Sequence, residues 1–459
     1  MLKKYFGTWD FYKKVLVLTL PIMAQNGITN LVNMLDNVMV GAVGTLPMTG
    51  VTVSNTLLFV FNLCIFGIVS GAGIFSAQFY GNGDNEGVQR SFRLKTYLAL
   101  IISAVGIGVL LLFGENLISL YLKGEGTAED RAQALNYAKD YLNIMLIGLV
   151  PFALSQCWSG TLSVCDRPVL PMCAGFLAMG VNMVLNYILI FGKLGFAPMG
   201  VRGAAIATVI SRFAELLTLV IWTRLAHRKN PFIVGVFKTL SVPLTLTKNI
   251  LKKGLPLMLN EALWAAGMAT VNQNYSLRGL EVVAANNILQ TFFNVFSVAF
   301  MAVGVAVGII LGQMLGAGEN EKARDACRKL ITFSVVVSII VGVVFFFSAY
   351  AIPEIYNTTE TVKAMATALM QICAFAMPID AFAHAAYFTM RSGGKTGVTL
   401  IFDSGFVWAI SVPAAMLLVN LTNLNILWIY AAVQALNLIK CIVGYIFIKK
   451  GYWINRVVS

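Results

Sequence analysis

The chain has 459 residues, is 58% hydrophobic and only 12% charged, and has a mean hydropathy of +0.79. An ordinary soluble domain is about 25% charged, so that class is excluded. The 33 Lys and Arg outnumber the 20 Asp and Glu to give a formal net charge of +13, but the basic residues gather in loops between apolar runs, which excludes a nucleic-acid surface.

Apolar segments of about 20 residues recur from end to end, without the alternation of period two that barrel strands need. The sequence therefore describes an all-α, polytopic membrane protein. Helices are predicted at about 15–43, 50–80, 93–113, 136–160, 169–191, 201–224, 254–275, 283–315, 330–350, 363–390, 397–420 and 424–448, about twelve in all.

The N-terminal MLKKYFGTWDFYKK is basic and leads, without a small-residue cleavage pattern, into a first transmembrane helix rather than a removed signal peptide. That helix contains Thr19–Val40, long enough to span a bilayer yet carrying Asp36 inside it. A charge at the membrane centre costs roughly 2.5–3.5 kcal/mol, so such residues face a protein interior or a water-filled cavity. At about 100° per residue, Gln25, Asn26, Thr29, Asn30, Asn33, Asp36 and Asn37 share an arc of roughly 140°. This polar seam serves either as a transport site or as interhelical hydrogen bonding.

Helix 2 is followed by Arg90, Arg93 and Lys95, read as loop charges, and it offers Asn55 and Asn62. Helix 5 carries Asn182 and Asn186. In helix 6, Arg212 and Glu215 stand at i, i+3, a spacing at which they can satisfy each other. A polar linker, about 226–249, then divides the chain into an N-lobe (1–225, helices 1–6) and a C-lobe (250–459, helices 7–12).

In helix 7, Glu261 shares a face with Trp264, Met268 and Asn272. An acid backed by aromatic and thioether groups suits a lipophilic cation; the alternative is a Glu snorkelling at the membrane edge. Helix 8 presents Asn287, Gln290, Asn294 and Ser297, which could coordinate Na⁺ or bond between helices. In helix 10, Asp380 has His384 one turn on, a spacing at which the two can meet and at which the acid could exchange a proton for a cation. Asp403, close in sequence to Arg391 and Lys395, reads as an internal salt bridge. With only two histidines and no ligand spacing, no metal site beyond a possible Na⁺ is expected. The seven cysteines form no CxxC pair and read as reduced packing residues.

The halves are related. AQFYGNGDNEGVQRSFR (77–93) matches GQMLGAGENEKARDACR (312–328), pairing Gln78 with Gln313, Gly81 with Gly316 and Gly83 with Gly318; the same offset pairs Leu20-Pro21 with Leu255-Pro256. Two six-helix halves starting on one side are parallel repeats, an arrangement that goes with alternating access and a site between the repeats. The basic loops place both termini in the cytoplasm. GNGD (81–84) resembles the GxGD of aspartyl proteases, but its repeat copy is GAGE, and a helix-terminal turn with glycines at positive φ explains both.

The Leu-Pro openings of helices 1 and 7, Asp36 followed by Val40-Gly41, the duplicated GxG-acid-N loops, Asn182-xxx-Asn186 and Asp380 with Arg391 together resemble the multidrug and toxic compound extrusion (MATE) transporters, NorM-like branch. The chain departs from the family's arginine after helix 4, where Leu162 stands, and from its second helix 5 acid, which is Asn186 here. The resemblance implies a V-shaped pair of six-helix lobes and a non-enzymatic antiporter that exports organic cations in exchange for H⁺ or Na⁺. It makes Asp36, Glu261 and Asp380 the ion-coupling acids, with Asn182 and Asn186 beside Asp36; helix faces and spacing add Gln25, Asn33, Trp264, Met268, Asn272, Asn287, Gln290, Asn294 and His384 as expected neighbours. No cofactor and no nucleic-acid partner are expected, the chain is expected to act as a monomer among membrane lipids, and the lack of long extramembrane domains fits a bacterial inner membrane. Two rivals are a lipid-linked oligosaccharide flippase, which would place Arg or Lys in its cavity, and an intramembrane aspartyl protease using Asp380 and Asp403.

Overall fold

A computed structural model describes residues 5–123 and 127–458, apart from the side chain of Asn33. The secondary structure of the described residues is helical, with short 3₁₀ and π-helical stretches, connecting loops and no strand. The helices are α1 (Trp9–Gly41), α2 (Thr45–Gly81), α3 (Asn85–Tyr121), α4 (Ala128–Ile147), α5 (Leu149–Val164), α6 (Val169–Phe191), α7 (Val201–Leu225), α8 (Leu244–Ser276), α9 (Leu280–Gly316), α10 (Asn320–Ser348), α11 (Glu360–Ser392), α12 (Thr396–Leu421) and α13 (Ile426–Lys450).

Ten of these are long and apolar enough to cross a membrane, or eleven when α4 and α5 count as one span bent by 48°. The sequence predicts one unbroken helix there. The break falls at Gly148, which offers no side chain to hold the turn, and the neighbouring Arg212 side chain donates to the Gly148 carbonyl at 3.4 Å. The remaining long helix, α8, is made less apolar by Lys248, Lys252, Lys253, Asn260, Glu261 and Asn272.

Helix ends follow local chemistry. Thr127 and Asp130 form a reciprocal capping box at the start of α4. Asn425 caps α13 through the Leu427 amide at 3.0 Å. Gly192 closes α6 and Gly451 closes α13 in the left-handed conformation. α12 winds as a π-helix over Ile401–Gly405 and Val407–Ser411, just before Pro413, whose ring cannot donate into the helix.

The chain forms two compact units. One comprises Met1–Met23, Ala77–Asp84 and Lys252–Ser459; the other comprises Ala24–Ser76 and Asn85–Leu251. In the second unit, α3 begins at Asn85, eight residues ahead of its predicted start, so Arg93 and Lys95 are not loop charges. Both are buried within the helix, at 4% and 0% exposure. The polar linker folds over them: Arg93 donates to the Ser241 carbonyl at 2.7 Å, and Phe92 packs against Phe232 with ring centroids 5.8 Å apart. In the first unit, a core of Val271, Leu289, Phe300, Phe345, Met370, Met377 and Ile429 joins α8 through α13. All seven cysteines are free, and Cys157, Cys165, Cys327 and Cys373 are buried.

Candidate functional site

Two polar clusters lie inside the apolar helices, one in each unit. In the second unit, Asn182 and Asn186 sit one turn apart on α6 and so share a face. Asn186 Nδ2 donates to Asp36 Oδ1 at 2.6 Å and to Asn182 Oδ1 at 3.0 Å. Asn182 Nδ2 donates in turn to Thr208 Oγ1 at 3.3 Å, and that hydroxyl donates to the Ala204 carbonyl at 3.0 Å. The string thus runs from the backbone of α7 through α6 to the carboxylate on α1. Asn186 is fully buried, and its Oδ1 has no hydrogen-bond donor. A carboxylate therefore sits beside a buried amide group with an unused carbonyl oxygen.

Arg212 does not ion-pair with Glu215, contrary to the i, i+3 expectation. It lies over the Phe152 ring at 4.9 Å and donates to Gly148. The bend at Gly148 presents a carbonyl that competes for the guanidinium. Tyr141 donates to Asn55 at 3.4 Å. Gln25 is half-buried, its main-chain carbonyl taken by Thr29 at 3.1 Å, and its side chain stays outside the Asp36 string. The side chain of Asn33 lies outside the described residues.

The first unit holds the larger cluster. Asn260 on α8 is fully buried and organises it. Its Nδ2 donates to Asp403 Oδ2 at 3.1 Å and to the Tyr387 hydroxyl at 3.4 Å; its Oδ1 accepts from the Ser404 amide at 3.3 Å and hydroxyl at 2.8 Å. Tyr387 donates to Glu261 at 3.5 Å. Asp403 forms an ion pair with Lys440 of α13, not with Arg391 or Lys395, its neighbours in sequence. The π-helical turn of α12 brings Asp403 onto the line between Asn260 and Lys440.

Asp380 accepts from Asn437 at 3.0 Å and does not meet His384. The imidazole instead packs against Phe388 at 5.0 Å, stacks on Tyr387 at 6.5 Å and fills the space over Gly304, where a β-carbon would come within 2.4 Å of it. Gly304 leaves room for the ring, and the aromatic neighbours draw it away from the acid. Asp380 and Asp403 are each engaged by the last helix, Asp380 by Asn437 and Asp403 by Lys440.

The other predicted neighbours spread along α8 and α9. Trp264 is 39% exposed and Met268 half-buried. Asn272 Oδ1 accepts from Asn286 Nδ2 at 3.4 Å, joining the two helices. Asn287 and Asn294 lie on an exposed face, with Gln290 half-buried between them. Sequence reasoning missed Asn260, Tyr387, Asn437 and Lys440. Lys440 carried a usable signal, a lysine ten residues inside an apolar helix, which marks a functional position by default.

Comparison with known proteins places the chain among transporters. The family model MatE matches residues 21–188 and 256–418, that is, both halves of the repeat. A probable multidrug resistance protein NorM of Thermotoga maritima is 26% identical over 457 residues, covering 98% of this chain and 94% of the relative. A solved outward-facing multidrug resistance MATE family transporter of the MOP superfamily superposes with a TM-score of 0.85 at 20% identity, covering 98% and 97% of the two chains. A MOP superfamily transporter from Pyrococcus furiosus, described as having a binding pocket of reverse polarity, superposes with a TM-score of 0.84 at 19% identity, again over 98% and 97%. These structural likenesses establish the all-helical transporter fold.

Proposed function

This chain belongs to the MatE family, and from that premise we propose that it is a multidrug efflux antiporter exporting organic cations in exchange for H⁺ or Na⁺. The relatives are named as multidrug transporters, not enzymes. The observation that carries the coupling half of the reading is the Asp36–Asn186 contact at 2.6 Å, with the unused Asn186 Oδ1 beside it. A carboxylate with a neighbouring carbonyl oxygen suits a proton or a hard monovalent cation, both of which take oxygen partners. The cluster of Glu261, Asp380 and Asp403 gives the other half a surplus of negative charge suited to a cation.

In this reading the ion binds Asp36 from outside, neutralises it and lowers the affinity for organic cation; ion release to the cytoplasm restores the charge. One carboxylate need not hold both, provided each disfavours the other. One H⁺ in per monovalent cation out moves no net charge, and each pH unit supplies about 1.4 kcal/mol. Two ions in would add about 2.3 kcal/mol per 100 mV of membrane potential. The protein would reside in a bacterial inner membrane as a monomer with both termini cytoplasmic.

The test is ethidium transport in proteoliposomes under an imposed pH or Na⁺ gradient, comparing wild type with Asp36→Asn, Glu261→Gln and Asp380→Asn. Gradient-driven movement that Asp36→Asn abolishes supports coupling at Asp36. Loss in Glu261→Gln or Asp380→Asn with Asp36→Asn active moves coupling to the other cluster. No movement under either gradient overturns cation efflux and favours the lipid-linked anion reading.

A further inference from the structure

Lys440 is unusual among the basic residues of this chain. It lies ten residues before the Lys449-Lys450 end of α13, with its side chain only 12% exposed. Its ammonium pairs with Asp403, which is itself 18% exposed, and lies 5.4 Å from the Phe402 ring centroid. A lysine inside an apolar span is costly unless an acid meets it. Here the acid belongs to a hydrogen-bonded chain that reaches Glu261 through Asn260 and Tyr387. Two carboxylates against Lys440 leave a single formal negative charge.

We propose that Lys440 is a tethered cation that sets the charge specificity of this half. With its ammonium held on Asp403, the cluster retains one negative charge and accepts one mobile monovalent cation at a time. Lys440 need not touch that cation; it acts by fixing the charge the cation meets. Asn260 keeps Asp403 turned toward Lys440 rather than toward Glu261, because it donates to the second carboxylate oxygen. This inference rests on the reading that the cluster binds cations at all.

Net charge makes the test quantitative. Lys440→Met leaves two negative charges, Asp403→Asn leaves none, and the double substitution Asp403→Asn/Lys440→Met restores one. Equilibrium binding of ethidium and of radioactive Na⁺ is measured on the purified full-length protein. The expected order of affinity is Lys440→Met tightest, wild type and the double variant alike, and Asp403→Asn weakest. Steps are on the order of 10-fold, as one added charge at close range in a low-dielectric site implies. A merely structural ion pair gives a different result: each single variant leaves a buried charge unpaired, so Lys440→Met binds more weakly than wild type whether or not the double recovers, and that overturns the proposal. So does Lys440→Met binding as wild type does. If Lys440→Met does not yield folded protein, Lys440→Gln takes its place, removing the same charge while keeping a polar side chain: binding tighter than wild type supports the tethered cation, and equal or weaker binding overturns it. Wild type that binds neither probe overturns the parent reading of a cation site; wild type that binds without this order overturns only the role of Lys440.

Discussion

The main chain of Gly81 lies against that of Gln313, so closely that a β-carbon on Gly81 would sit 1.9 Å from the Gln313 carbonyl oxygen. Gly316 stands in the same relation to Gln78, also at 1.9 Å. These four residues are equivalents in the internal repeat, so the two copies cross at their own glycines. The second glycine of each copy does other work: Gly83 and Gly318 turn the chain at φ +74° and +76°. One motif therefore holds two glycines for two reasons, close approach and left-handed backbone.

The two reasons separate by substitution. Gly81→Ala places a methyl group where backbone already stands, and overpacking of this kind costs about 1–3 kcal/mol. Gly83→Asn keeps a residue that tolerates the left-handed region and is expected to cost less than about 1 kcal/mol. Thermal unfolding in detergent reads both. Gly81→Ala melting with wild type would mean that the α2–α9 crossing relaxes without cost.

Asn186 is expected to govern coupling through its bond to Asp36. Hydrogen bonds to charged groups contribute about 1.5–3 kcal/mol, so Asn186→Leu should slow gradient-driven transport by about 10- to 100-fold. Asn182→Leu, which does not touch the acid, should slow it much less. Initial rates of ethidium movement in proteoliposomes compare them, and equal rates for the two variants count against the Asp36–Asn186 bond as the coupling contact.

The helical fold, the repeat and the deep acids were legible because each is written in composition or in local spacing. Apolar runs mark spans, and a constant offset marks a duplication. What was not legible depended on tertiary contact. The Asp380–His384 pairing is allowed by helical spacing, but Gly304 on α9 provides a better place for the imidazole. Asp403 has two bases close in sequence, yet Lys440, 37 residues away, is the one that meets it. Arg93 and Lys95 read as loop charges because charge usually ends a span; the linker that folds over Arg93 allows its burial. The break at Gly148 lies inside an apolar run with no proline to announce it.

Asn260 should be the most sensitive polar residue in the first unit. It serves Asp403, Tyr387 and both donor groups of Ser404 while fully buried. Asn260→Ala takes a donor from Asp403 Oδ2 and an acceptor from the Ser404 amide, each loss costing about 1–3 kcal/mol in this buried site. Ser404→Ala removes one hydroxyl and should cost about 1 kcal/mol. Chemical denaturation in detergent orders them, and an Asn260→Ala protein as stable as Ser404→Ala would show that water replaces the lost bonds.

The segment after α13 is expected to act as a structural strap. Trp453 is 1% exposed, and its carbonyl lies so near Gly393 that a β-carbon there would come within 1.7 Å. Gln78, fully buried, donates to the Ser392 and Asn455 carbonyls at 3.1 Å each and accepts from the Val457 amide at 2.7 Å. Asn455 donates to Gly393 at 3.0 Å. Burial of one large aromatic side chain contributes about 1.5–3 kcal/mol, and the hydrogen bonds about 1 kcal/mol each. Deleting residues 452–459 should therefore lower the thermal midpoint by several degrees, and Gln78→Ala should reproduce part of the loss. Adding Gln78→Ala to the deletion should cost less than Gln78→Ala costs alone, because the tail partners are already gone. Fully additive losses would mean that Gln78 and the tail stabilise the unit independently, despite the three bonds between Gln78 and residues 392, 455 and 457.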